Sequence, residues 1–306
     1  MVRASRSALR TQSTGPAVPP VALVLAAVVS VQFGGAMAAL LLPLVGVVLS
    51  VALRLVLAAL VLLATVRPRV RGRTRSDWMV VTWFALTLVG MNLAFYGSLA
   101  RLPLGVAVTI EFLGPLTLAA VLSRRLSDGV AVVAALVGVV LISEVASVGW
   151  TEIDVVGVGL AATAGAGWAA YILASERTGA RFTGLDGMAV AMSIGAVLML
   201  AVSALAGRSA GLVLHWEVLG LGFTVALLSS AVPYSLELLA LRRLATAVFG
   251  VLLSLEPAVA AFAGLLVLGQ TLDTLQISGM ALVVLASITV LGRPRPRGHT
   301  TAAAGG

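Results

Sequence analysis

The sequence predicts an all-α integral membrane protein in which ten transmembrane helices form two inverted five-helix repeats. Three observations carry this prediction. The 306-residue chain is 60% apolar and only 10% charged, with a mean hydropathy of +1.11, whereas about a quarter of a soluble domain is charged. Its apolar residues gather into runs of roughly the 20 residues that one bilayer crossing needs. A shift of 142 positions lays Leu99, Arg101, Leu102, Val106, Leu113, Pro115 and Ala119 on Leu241, Arg243, Leu244, Val248, Leu255, Pro257 and Ala261, the mark of an internal duplication.

Residues 1–20 carry Arg3, Arg6 and Arg10, then Gly15, Pro16, Pro19 and Pro20, and read as a disordered cytoplasmic tail. A basic start before an apolar run also has the shape of a signal peptide, with Ala36-Met37-Ala38 as its cleavage pattern. Cutting there removes a helix that the duplication requires. The first repeat, 21–148, holds apolar segments at 21–41, 44–66, 78–99, 104–123 and 129–148. An outer linker, 149–154, contains Glu152 and Asp154. The second repeat, 155–292, holds segments at 155–175, 186–206, 217–240, 244–267 and 272–292, and a second disordered cytoplasmic tail occupies 293–306. Five spans is an odd number, so the second repeat enters the membrane in the opposite sense from the first. Trp78, Trp150 and Trp216 fall at span ends, as interfacial anchors do. Small residues four apart, Gly46 and Ser50, Ala161, Gly165 and Ala169, Ala260 and Gly264, suit close intramolecular helix packing.

The charges assign the orientation. With the N-terminus in the cytoplasm, 17 of the 20 arginines fall on the inner side, including the run Arg67, Arg69, Arg71, Arg73 and Arg75. Arg101 and Arg208 fall outside and Arg54 within a span, so both termini are placed inside. The net charge of +8 therefore reports topology, and no nucleic-acid partner is expected. The chain has no lysine, which excludes a Walker A phosphate loop and a Schiff-base enzyme. Without cysteine, and with its two histidines, His215 and His299, at a helix edge and in the tail, it offers no buried metal site. No cofactor is implied, and no nucleophile and base come together as an enzyme requires.

An ionisable group at mid-membrane costs about 2.5–3.5 kcal/mol on insertion scales and marks a functional position by default. Arg54 lies ten residues into the second apolar segment, Glu111 seven into the fourth and Glu256 twelve into the ninth; at about 1.5 Å per residue all three come near the bilayer centre. They are candidates to bind substrate or protons, and the competing reading is an ion pair that holds the bundle together. Glu237 adds an acid near the inner end of the eighth segment, a turn before Arg242 and Arg243, while Glu144 at an outer end can reach water. Gly114, Pro115 and Pro257 are expected to break their helices and free backbone carbonyls. Asn92, Tyr96, Trp168, Tyr171 and Tyr234 are candidates to line a cavity. Paired, kinked, charge-bearing repeats are the pattern of a secondary transporter acting on a small-molecule substrate within the lipid bilayer.

The runs NLAFYGSLARLPLGVAVTIEFLGPLTLAAVLSRR, Asn92 to Arg125, and PYSLELLALRRLATAVFGVLLSLEPAVAAFAGLLVLGQ, Pro233 to Gln270, resemble the two repeats of the EamA family in the drug/metabolite transporter superfamily, most closely its bacterial threonine and homoserine exporters. The resemblance implies ten helices in two inverted repeats, a bacterial plasma (inner) membrane location, and efflux of small metabolites with protons as the exchanged ion. Gln270 stands where such exporters usually carry an acid after LG, and Ala245 where many carry a proline. The residues leave open another cargo, such as a nucleobase or sugar derivative, a non-transporting scaffold or sensor subunit, and assembly as a homodimer.

The orientation is testable because the chain lacks cysteine. Single cysteines at Ser13 and Thr300 are expected to resist a membrane-impermeant maleimide in intact cells, while one at Glu152 labels; labelling at Ser13 would invert the assignment.

Overall fold

A computed structural model describes residues 18–123, 126–142, 154–205, 215–241, 244 and 252–291. Of the positions discussed above, Arg124, Arg125, Glu144, Trp150, Glu152, Arg208, Arg242, Arg243, Ala245, Val248, His299 and both tails beyond these limits lie outside the described residues. Among the described residues the secondary structure is helical, without strands: α1 (Pro20–Val66), α2 (Arg75–Leu99), α3 (Leu104–Ser123), α4 (Leu126–Ile142), α5 (Val155–Gly179), α6 (Asp186–Leu205), α7 (Trp216–Ala226), a π turn (Leu227–Ala231), α8 (Val232–Leu241), α9 (Glu256–Leu268) and α10 (Thr274–Leu291). Among the described residues, six stretches are long and apolar enough to cross a bilayer: α1, α2, Leu104–Leu122, α5, α6 and Trp216–Tyr234. Gly129–Gly138, α9 and Thr274–Thr289 are shorter apolar helices.

The 47 residues of α1 would reach about 70 Å as a straight rod, more than twice the hydrocarbon thickness. They do not form one. Ser30 hydrogen-bonds the Leu228 carbonyl and Arg54 the neighbouring Ser229 carbonyl, although a straight helix would hold these two side chains about 36 Å apart. The chain reverses at Gly46, whose φ of 75° and ψ of 173° are non-helical and are open chiefly to glycine. Pro43 lies one turn earlier, and the Ser50 hydroxyl donates to the Gly46 carbonyl at 2.8 Å. The two apolar segments read from sequence at 21–41 and 44–66 are thus the two arms of α1.

The doubled α1 is the centre of the bundle, packed by α6, α7, the π turn, α8 and α9. Around it α2 packs on α5, α3 on α5 and α9, and α4 on α10. Burial is inverted relative to a soluble protein. Leu60, Trp83, Val121, Val133, Phe262 and Leu266 are exposed, whereas Ser50, Ser98, Thr109, Ser230 and Ser254 are fully buried. Apolar side chains facing outward are stable only against lipid, and the inward polar groups find hydrogen bonds, mostly within their own helices: Thr109 donates to Gly105 at 2.6 Å and Ser98 to Phe95 at 2.7 Å.

The helix ends sort the loop charges. At one end Arg181 joins Asp77 at 3.0 Å, Arg73 donates to the Arg181 carbonyl at 2.7 Å and lies over the Phe182 ring, and the Arg69 amide reaches Asp186. Thr74 and Asp77 form a capping box at the start of α2. At the opposite end of α2, Arg101 joins Asp154 at 3.0 Å. Asp154 caps α5 through the Gly157 amide, and that hydrogen bond, with Arg101, holds its carboxyl below the usual range. Gln270 accepts a hydrogen bond from the Leu104 amide at 3.0 Å, so this glutamine caps α3 from 166 residues further along the chain. Trp78 and Trp216 are exposed at helix starts.

Glycine sets the closest crossings. A Cβ on Gly114 would overlap the Gly165 carbonyl, and one on Gly165 would stand 2.6 Å from the Glu111 carbonyl, so α3 and α5 meet backbone to backbone. Gly165→Ala is therefore expected to destabilise the purified protein by about 1–3 kcal/mol, read as a lower Tm in detergent. Gly159→Ala, on the same helix with nothing within 4 Å, is expected to leave Tm unchanged or slightly raised.

Candidate functional site

The first arm of α1 brings Ser30 and Gln32 to the middle of the bundle and the second brings Arg54, and the far helices supply the partners. Arg54, on the second arm, is 8% exposed. Its Nε donates to the Ser230 hydroxyl at 3.3 Å and its Nη2 to the Ser229 carbonyl at 3.0 Å, and the Tyr96 ring centroid lies 5.7 Å from the guanidinium carbon. Those acceptors exist because the helix is miswound there. The Val232 amide bonds Leu227, five residues back, and so deserts Leu228. Pro233 has no N–H to give to Ser229, four residues back, or to Leu228, five back. Ser30 takes up the Leu228 carbonyl at 2.8 Å and Arg54 the Ser229 carbonyl. Gly34 makes the approach possible: a Cβ there would run into the Ser229 side chain and lie 2.8 Å from its amide nitrogen.

The acids sit nearby on other helices. Glu111 on α3 and Glu256 on α9 are buried, and Glu237 on α8 is half-buried. Electrostatic interactions link Arg54 to Glu111 and Tyr234, Glu256 to both Glu111 and Glu237, and Glu237 to Tyr171 and Tyr234. The ion pair weighed from sequence does not form. Among the described residues, the carboxylate–cation contacts within 4.0 Å are Arg101–Asp154 and Arg181–Asp77, both at helix ends. Arg54 is held by neutral groups instead, and Glu256 accepts a hydrogen bond from the Gln32 amide at 3.4 Å.

The two prolines behave differently. α3 continues through Gly114-Pro115 to Ser123, so the break expected there is absent, although Pro115 withdraws the N–H that would serve the Glu111 carbonyl. Pro257 does start a helix: Ser254 and Leu255 form a turn, and α9 begins at Glu256 with Pro257 in its first turn. Glu256 thereby gains the N-terminal end of α9, where a carboxylate is favoured.

Of the remaining candidates, Asn92 is buried but donates to its own helix, to Leu88 at 2.8 Å. Tyr96 is 1% exposed and interacts with Arg54. Tyr171 and Tyr234 interact with each other; Tyr171 packs on Phe84 with ring centroids 5.1 Å apart, and Trp168 meets Phe112 edge-on at 5.8 Å. Sequence reasoning missed Gln32, Ser30, Ser229, Ser230 and the role of Pro233. Gln32 carried a signal, an amide in the middle of an apolar run. The serines carried none, because serine is ordinary in such helices. Among the described residues no group of three or more His, Cys, Asp and Glu is placed to hold a metal.

Residues 155–292 match the EamA-like transporter family. The threonine/homoserine exporters RhtA of Salmonella typhimurium (strain LT2) and Escherichia coli (strain K12) are each 40% identical to this chain over 269 residues, 88% of this chain and 90% of theirs. One solved crystal structure covers 89% of this chain and 97% of its own with a TM-score of 0.60; at 20% identity it shows a common fold alone. A bundle with an apolar exterior and a charged interior is what a membrane transporter requires, and identity at this level across both halves of the sequence establishes that the chain belongs to the EamA-like transporter family.

Proposed function

We propose that this protein is a secondary active exporter of small amino acids, threonine and homoserine foremost, working by alternating access in exchange for protons. One observation carries the reading: buried Arg54 lies within electrostatic reach of Glu111, and Glu256 within reach of Glu111 and Glu237, with no ion pair among these groups in the described residues. A zwitterion supplies both missing partners. Its carboxylate suits Arg54, and its ammonium suits Glu111 or Glu256, which exchange it for a proton on the outer side. Glu237, Tyr96 and Tyr234 border the same centre. One charge moving through 100 mV gains about 2.3 kcal/mol, enough to bias release more than tenfold. The name carried by the 40% identical relatives, threonine/homoserine exporter, supports the cargo.

The architecture proposed for this work is ten helices in inverted repeats, 21–148 and 155–292. The packing supports it. α3 lies on its counterpart α9 and α4 on its counterpart α10. The crossing of α5 over α2 at Gly167 and Met91 has its match in the crossing of the first α1 arm over the π turn at Gly34 and Ser229. A twofold axis in the membrane plane demands both kinds of contact. The end holding Arg67 to Arg75 and Arg181 is assigned to the cytoplasm of a bacterial inner membrane, with both termini on that side.

Proteoliposomes test the reading. Wild-type protein is expected to drive labelled threonine or homoserine against its gradient when a proton gradient is imposed, and Glu111→Gln to lower the pH-driven component at least tenfold. Unchanged pH dependence in Glu111→Gln would remove that residue as the coupling site. Wild-type vesicles that move neither amino acid would sink the assignment of cargo.

A further inference from the structure

We infer that the π turn with Pro233 is a positioning device that holds Arg54 open as the receptor for the substrate carboxylate. The inference rests on the exporter reading above and adds to it the residues that make the arginine available. A guanidinium has five N–H donors in a planar fork. Arg54 gives one to the Ser229 carbonyl and one to the Ser230 hydroxyl, and its remaining donors face the neutral hydroxyls of Tyr96 and Tyr234. These contacts hold it by neutral groups, so its charge is not cancelled. Glu111 is near enough to interact with Arg54 electrostatically yet is not in contact with it. Were the Ser229 carbonyl engaged within its own helix, as in a regular α-helix, the guanidinium would lose its anchor and the carboxylate of Glu111 would become its best partner.

The arrangement is built rather than incidental. Two consecutive carbonyls lose their regular α-helical donor, Leu228 because the Val232 amide bonds Leu227 instead and Ser229 because Pro233 has no N–H. Each is met by a side chain from a different arm of α1, and the bare backbone of Gly34 lets the first arm come close enough. On the other side stands Tyr96, almost fully buried, whose ring faces the guanidinium and whose hydroxyl interacts with it. The remaining edge of the fork beside that hydroxyl matches the two oxygens of a carboxylate. Π turns within helices recur at functional sites, and here the deformation has an identifiable product, a buried cation held without an acid.

The test is counterflow in proteoliposomes, with labelled threonine as the probe and unlabelled threonine or threoninamide, which lacks the carboxylate, as competitors. Pro233→Ala restores an N–H for Ser229 and is expected to raise the KM for threonine about tenfold, with a smaller change in maximal rate, and to bring the threonine-to-threoninamide preference towards one. Ser230→Ala removes only the Nε partner and is expected to move the same two quantities two- to threefold; it decides the matter if Pro233→Ala does not insert. Normal KM and undiminished preference for the carboxylate in these variants would overturn the inference while leaving the exporter reading intact. Absence of threonine counterflow in wild-type protein would instead overturn the exporter reading, and this inference with it.

Discussion

The hydrogen bond from the Arg54 guanidinium to the Ser229 carbonyl is the contact on which the interior of this protein depends. A cation in the middle of a bilayer must be solvated by something. An acid would do so most strongly, at the cost of leaving no field for a ligand. Here the solvent is a backbone carbonyl that the helix has given up, reinforced by a serine hydroxyl and the face of Tyr96. Main-chain dipoles stabilise charge without neutralising it. Much of the surrounding geometry follows: the hairpin at Gly46 that brings both arms of α1 to one place, the bare surface of Gly34, and the π turn itself.

The same economy of side chains governs the helix crossings. Where α3 meets α5 and where α1 meets the π turn, glycine removes the Cβ and the main chains touch. Helices in lipid gain no hydrophobic advantage from associating, so close backbone packing has to supply the attraction. It also decides where the polar groups face. The Gly114–Gly165 crossing lies against the backbone of Glu111, which ties the placement of that acid to a contact no larger side chain would permit. A functional group and a packing constraint thus share one position.

The two prolines that a 142-residue shift lays on each other do different things in the structure. Pro115 rides inside a continuous helix; Pro257 opens a new one. The difference places Glu256 at a helix N-terminus, hydrogen-bonded by Gln32, whereas Glu111 has neither feature. Gln270, standing where an acid is usual among the exporters this chain resembles, spends its carbonyl oxygen on capping α3.

Composition and periodicity were enough to read a helical membrane protein, because the bilayer admits few solutions and each leaves a long apolar run. The three mid-span charges, Arg54, Glu111 and Glu256, were legible for the same reason: a charge in lipid stands out. What the linear chain did not disclose was partnership. That Arg54 would lie on Ser229 and Ser230 rather than on an acid, and Glu256 on Gln32, depends on contacts between residues 175 to 224 positions apart. Nor did it disclose that Gly114-Pro115 would leave α3 unbroken while Pro233, inside a plain apolar run, would shift a helix into a π turn. Those outcomes turn on whether a neighbouring helix is present to hold the backbone or to use the carbonyls it releases, and only the tertiary structure decides that.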